Sequence, residues 1–398
     1  MNTLSMLFVT ALAVSPSTAT TSTPAPAAST KSKKYKYAYS WKTETKMSTP
    51  RSDASATPTT ANTILIAGGC VGKQVKTDWG YGCDVVTASA EIFDPKTSTF
   101  TATTTDMPSK RYRHTSAHVD GAVYVLGGTN LDYPEPMIAT VDMYDVATST
   151  WSTLSPSSDL PFATSDPTSF VIGTKIYYTG GYNTTDYSAS IRSWVLDTQA
   201  LSSGWKEIAS APTERGDAIG VSIDGVGYVF GGFTHTNGFA SPVGTLESYS
   251  PEKEEWTSLK TMPTARGDKA GAVLHSRFHV IGGETKNKDG KSVPIKDVEV
   301  YDPMEKTWQD EGVIPSERFR FMAAAVDNII YIFGGQKLLV GKQDAADSYY
   351  PVSDEVEAFV EDRLAITGVD KKASAGSSLL VTAFAATVAT VVAATMMC

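Results

Sequence analysis

The chain has 398 residues, enough for two or three ordinary domains or for one large all-β domain that grows by repetition. Its net charge of -9 offers no basic surface to phosphate backbones, which excludes nucleic acid as the expected partner. Polar neutral ligands and cations fit that balance better.

In chain order, the first predicted element is a targeting segment. Residues 4–14, LSMLFVTALAV, form an apolar run of signal-peptide length, and Ser17 and Ala19 are small residues suited to cleavage after Ala19. Residues 1–19 are therefore predicted to be a secretory signal, although no Lys or Arg precedes the run. The Ser/Thr/Pro/Ala-rich stretch at 20–36 reads as a flexible linker open to O-glycosylation.

From residue 37 onward the chain repeats. Six apolar runs end in Gly-Gly: ILIAGG, VYVLGG, IYYTGG, GYVFGG, FHVIGG and IYIFGG. Their first glycines are Gly68, Gly127, Gly180, Gly231, Gly282 and Gly334, at steps of 59, 53, 51, 51 and 52 residues. Sixteen or seventeen residues before them stand Arg51, Arg111, Thr164, Arg215, Arg266 and Arg318. After each pair an apolar segment ends in a large side chain, as in EIFDP, VDMYD, ESYSP and VEVYDP. Seven residues further comes a second aromatic, at Phe100, Trp151, Trp256 and Trp308, with Trp205 in a slightly longer version. Each unit predicts four short strands with period-2 apolar faces and tight turns. Gly-Gly marks close backbone approach or positive φ, and the aromatics supply faces that one sheet buries against the next. A single such sheet is not stable alone, so six stack around an axis.

This pattern resembles the kelch repeat over residues 37–366. The resemblance implies an all-β, six-bladed β-propeller with four antiparallel strands per blade. The last copy lacks a Trp after Phe359. Trp41, however, stands ten residues before Arg51, as Trp256 stands ten before Arg266. Residues 37–45 are thus predicted to be the outermost strand of the last blade, with RLAITGV (363–369) as the alternative.

Kelch propellers serve as protein-binding platforms, sugar-active enzymes and cell-surface modules, so fold leaves function open. The copper radical oxidases of this fold need two His, two Tyr and a crosslinked Cys. Here His114 and His118 are four apart on one strand, about 13 Å by strand rise, too far to share a metal. No catalytic residue, cofactor or metal site is expected, and an interaction module is favoured over an enzyme. Two readings stand: a platform binding protein or glycan, and a sugar-acid mutarotase of the kind found among exported kelch proteins. The tripeptides Arg215-Gly216-Asp217 and Arg266-Gly267-Asp268 look like adhesion tags, but their 51-residue spacing is that of the repeat. Two residues on from each periodic position stand Asp53, Arg113, Asp166, Asp217, Asp268 and Arg320. The resemblance implies that these six converge on the central pocket as the ligand-binding residues.

The chain closes on another targeting segment. Residues 379–398, LLVTAFAATVATVVAATMMC, carry no charge and follow a polar spacer at 367–378. With no basic residues after it, the tail fits a cleaved GPI-anchor signal, with a retained membrane span as the alternative. Either places the protein on the extracellular face of a membrane. Loss of the tail removes Cys398 and leaves Cys70 and Cys83 as a pair in an oxidising compartment, so a disulfide is expected, with a stabilisation of roughly 3 kcal/mol. Asn183-Thr184-Thr185 is the N-glycosylation sequon, in a loop just after Gly-Gly.

Overall fold

The structure, a computed structural model, describes residues 35–77, 80–130, 137–236, 239–337 and 350–365. The predicted signal at 1–19, the predicted linker up to residue 34 and everything from 366 on, including the predicted anchor segment, lie outside the described residues.

Among the described residues are six four-stranded sheets, each in the order innermost to outermost. The innermost strands are Ser55–Pro58, Thr115–Val119, Thr168–Ile172, Ile219–Ile223, Ala270–Leu274 and Met322–Val326. Consecutive innermost strands neighbour one another, and the last neighbours the first, so the blades close a ring. The third-strand and fourth-strand aromatics pair directly across the ladder: Phe93 opposite Phe100, Tyr144 opposite Trp151, Tyr249 opposite Trp256 and Tyr301 opposite Trp308. Cores form between blades rather than within them. Phe230 of the fourth blade stacks on Phe278 of the fifth at 4.9 Å, and Phe93 of the first meets Phe333 of the sixth edge-on at 5.5 Å. Burying each such ring contributes about 2–3 kcal/mol, which a lone sheet forgoes.

The sixth blade takes its outermost strand from the chain start. Tyr35–Lys46 lies beside Glu355–Ala365. Trp41 meets Phe359 at 5.1 Å, the counterpart of Tyr301 on Trp308 at 5.2 Å, so the register inferred from Trp41 holds. RLAITGV does not supply this strand: its first residues, Arg363 to Ala365, continue the third strand of the blade.

Gly-Gly has two tasks at each seam. The first glycine has φ between +54° and +72°, and a Cβ there would stand 2.3–3.1 Å from the carbonyl oxygen of the next blade's periodic residue. The second donates its amide to that same carbonyl, at 2.8–3.0 Å in all six seams. Cys70 and Cys83 form the expected disulfide, beside Val86 and Tyr112 on the same side of the ring. Asn183 sits in the turn after the third Gly-Gly pair, its side-chain oxygen accepting from the amides of Thr185 and Asp186. Among the described residues no helix is long and apolar enough to cross a membrane.

Candidate functional site

The periodic Arg does not lie on the innermost strand. It sits in the loop ahead of it, buried, and its guanidinium reaches back into its own blade. Arg266 shows the plan: it donates to the carbonyls of Gly282 (3.1 Å) and Asp297 (3.0 Å) and pairs with Glu299 at 3.0 Å. The same arrangement joins Arg51 to Glu91, Arg111 to Asp142, Arg215 to Glu247 and Arg318 to Glu357. Each carboxylate stands two residues before the third-strand aromatic. In the third blade Thr164 replaces the Arg and Trp194, opposite Tyr178, takes the carboxylate's place, so both halves of the pair are absent together. Leaving either charge buried alone costs several kcal/mol. Loss of both removes the problem.

This buried scaffold answers the tripeptide question. Arg215 and Arg266 are 1% and 0% exposed, out of reach of any adhesion receptor. A Cβ on Gly216 would meet the Tyr182 ring at 2.2 Å, and one on Gly267 the Phe233 ring at 2.0 Å. The glycines are there because an aromatic from the preceding blade's Gly-Gly loop lies over the backbone.

The six residues two positions on converge as a ring at one end of the axis. All have left-handed backbone, with φ of +49° to +56°, a region that favours Asp but strains Arg. The amide of one donates to the carbonyl of its counterpart in the preceding blade: Arg113 to Asp53, Asp166 to Arg113, Asp217 to Asp166, Arg320 to Asp268 and Asp53 to Arg320, at 2.8–3.1 Å. At the remaining step, between the fourth and fifth blades, the Lys269 ammonium takes the Asp217 carbonyl at 3.1 Å.

Around the axis the order is Asp53, Arg113, Asp166, Asp217, Asp268, Arg320, which polarises the mouth. Asp53 lies between two guanidiniums, whereas Asp217 lies between two carboxylates. Arg320 pairs with Asp268 at 3.1 Å and reaches Asp53 at 3.8 Å, while Arg113 reaches Asp166 at 3.7 Å. Each Arg is preceded by an aromatic it covers, Tyr112 at 5.3 Å and Phe319 at 5.6 Å, whereas each Asp is preceded by Ser or Gly.

Burial, with the carboxylates of Asp166 and Asp268, holds the Asp217 carboxyl well above the usual range. Its neighbour Asp268 has a lowered value: burial alone would raise it, but Arg320 and the hydrogen bond to Asp217 prevail. Burial pushes Asp53 up to about 6 against the pull of Arg320 and Arg113. Burial likewise brings Lys269 down to about 7. The mouth thus mixes hydrogen-bond donors and acceptors with proton-exchanging groups.

One side of the rim is aromatic. Tyr182 and Tyr187 stack at 4.5 Å with His235 edge-on to both, at 6.2 and 5.7 Å. Their hydroxyls bond into the ring: Tyr182 donates to Asp217 (2.8 Å), and Tyr187 bonds to Asp166 (3.2 Å) and accepts from Arg113 (2.6 Å). Sequence reasoning missed these tyrosines, although Tyr182 directly follows a Gly-Gly pair. Below the ring, a cavity of about 190 Å³ is lined by all six innermost strands, with Lys269 and His114 at its walls.

Repeat, ring and closure together define a six-bladed kelch propeller. The Attractin/LZTR1 beta-propeller family model matches residues 80–342, and the chain belongs to that family. Similar curated proteins include Kelch-like protein terF of Aspergillus terreus, 26% identical over 64% of this chain and 56% of its own length. Beta-scruin of Limulus polyphemus is 26% identical over 66% of this chain and 29% of its length, and human Kelch-like protein 23 is 25% identical over 56% and 38%. The chain therefore spans roughly a third to a half of these relatives. A solved structure titled "Structure of YjhT" matches with a TM-score of 0.61 and 16% identity, covering 79% of this chain and 96% of that one, a likeness of fold.

Proposed function

We propose that the protein is an exported, membrane-anchored kelch-propeller interaction module, displayed on the extracellular face, that takes a protein or glycan ligand at the Asp/Arg ring. The observation that carries the reading is the union of a polarised hydrogen-bonding ring with the stacked Tyr182–Tyr187 pair at its rim. A stacked ring beside convergent donors and acceptors suits a sugar or a polar peptide side chain entering the mouth. The kelch-like relatives are consistent with an interaction role. Glycan and peptide arrays probed with the purified protein test it, with Asp217→Asn/Asp268→Asn as the control. Binding that survives in this double variant would place the ligand elsewhere.

A sugar-acid mutarotase remains the second reading, favoured by one observation. Asp217, its carboxyl held well above the usual range, and Lys269, with a value near 7, lie next to each other at the mouth and could donate and accept a proton. NMR exchange between sialic acid anomers, with and without the protein, decides it: unaccelerated exchange removes the enzyme.

A further inference from the structure

Away from the ring, the seam between the fifth and sixth blades holds a second polar cluster. His279 and Arg277 come from Arg277–Ile281, Glu311 from Thr307–Val313, and Glu361 from the last blade's third strand. Elsewhere each periodic Arg meets one principal carboxylate. Here Arg277 meets two, Glu311 at 2.6 Å and Glu361 on its other side. His275, at the surface end, donates Nδ1–H to Glu361 at 2.7 Å.

His279 is unused. It is 0% exposed, and neither ring nitrogen has a hydrogen-bond partner. Its Nε2 stands 3.6 Å from Glu311 Oε2 and 3.6 Å from Glu361 Oε1, too far for a hydrogen bond to either. Glu311 Oε2 is also without a partner. With both carboxylates ionised and one guanidinium, the cluster has one negative charge in excess, which burial disfavours unless a cation joins it.

A protonated His279 is one candidate, but it would close to about 2.7–2.9 Å on one carboxylate. Two donors on a tetrahedral ion with bonds of about 2.0–2.1 Å stand roughly 3.3–3.5 Å apart, close to the observed spacing. One His and two carboxylates form a ligand set for a divalent transition ion such as Zn²⁺. Arg277 would hold the outer oxygen of Glu311 and His275 that of Glu361, while Arg277 also bonds Glu361 Oε1, the oxygen facing His279, and would share it with the ion.

We propose that His279, Glu311 and Glu361 bind a divalent transition-metal ion that ties the fifth blade to the closing blade. The test uses purified protein stripped with a chelator and then exposed to ZnCl₂ or CoCl₂. One equivalent of zinc should stay bound through gel filtration, Co²⁺ should give visible d–d absorption, and zinc should raise the melting temperature. His279→Gln and the near-isosteric Glu311→Gln should each abolish uptake and the cobalt spectrum, while His118→Gln, on another blade, should retain both. Absence of retained metal in the wild type overturns the proposal. So does uptake that persists in both His279→Gln and Glu311→Gln. Comparing zinc-induced increments within each variant separates loss of the site from loss of stability.

Discussion

The amide of Gly335 in the last repeat donates to the carbonyl of Arg51 in the first, at 2.9 Å. This bond repeats the geometry of the other five seams, so the ring closes with the same connection it uses internally. What differs is covalent: the closing blade is assembled from both ends of the propeller. Deleting residues 20–46 should therefore leave Phe359 and the last blade uncovered and give a broad, low-temperature melt by calorimetry. Trp41→Ala alone should cost about 3 kcal/mol. An unchanged cooperative melt after the deletion would contradict closure by this strand.

The buried Arg–carboxylate pairs should behave as coupled scaffold. Arg266→Met or Glu299→Leu alone should destabilise by about 3–5 kcal/mol, and the double substitution by much less, since it recreates the apolar compensation of a lost pair. Chemical denaturation of the three variants measures this. Additive losses would mean that the two side chains act independently.

Stability should depend on pH through the ring. A carboxyl whose folded pKa exceeds its unfolded value of about 3.9 contributes fully below that pH, and the contribution is lost as pH rises through the folded value. Asp53, at about 6, should thus lose its contribution between about pH 4 and 6, and Asp217, also raised, should lose its own as pH rises above about 4. Lys269 works in the opposite sense: its contribution is full above about pH 10.4 and is lost as pH falls through about 7. Asp217→Asn should melt higher than wild type near pH 7.5, with the gap closing towards pH 4. Parallel melting curves across that range would show that Asp217 is not perturbed.

The double variant Asp217→Asn/Asp268→Asn should lose ligand or cation binding while its melting temperature stays within a few degrees of wild type or rises. A large loss of stability with intact binding would make both residues scaffold.

If the tail at 379–398 is a GPI signal, phosphatidylinositol-specific phospholipase C should release the protein from intact cells, and deleting those residues should yield a secreted form. Retention after the phospholipase would favour a membrane span.

Much of the fold was legible because Gly-Gly, Tyr and Trp recur at spacings that backbone geometry enforces. Trp41 located the closing strand for the same reason. The ring of six was legible by counting from the periodic Arg, but the partner of that Arg was overlooked, although Glu91, Asp142, Glu247, Glu299 and Glu357 recur two positions before an aromatic. The rim pair was harder: Tyr182 and Tyr187 occur in one blade, so no period marks them. His279, Glu311 and Glu361 meet only because two blades pack, and separations of 32 and 50 residues carry no motif.

The closing blade also sets the direction in which the chain threads the molecule. The strand Tyr35–Lys46 runs towards the ring, since Met47 donates to Asp354 and Arg51 to Ser353, while Glu355–Ala365 runs away from it. The propeller is entered and left on the side opposite its mouth. Immobilisation on a sensor chip through a tag at either end of the propeller should leave the mouth unobstructed, whereas a tag inserted after a Gly-Gly pair would stand in its path.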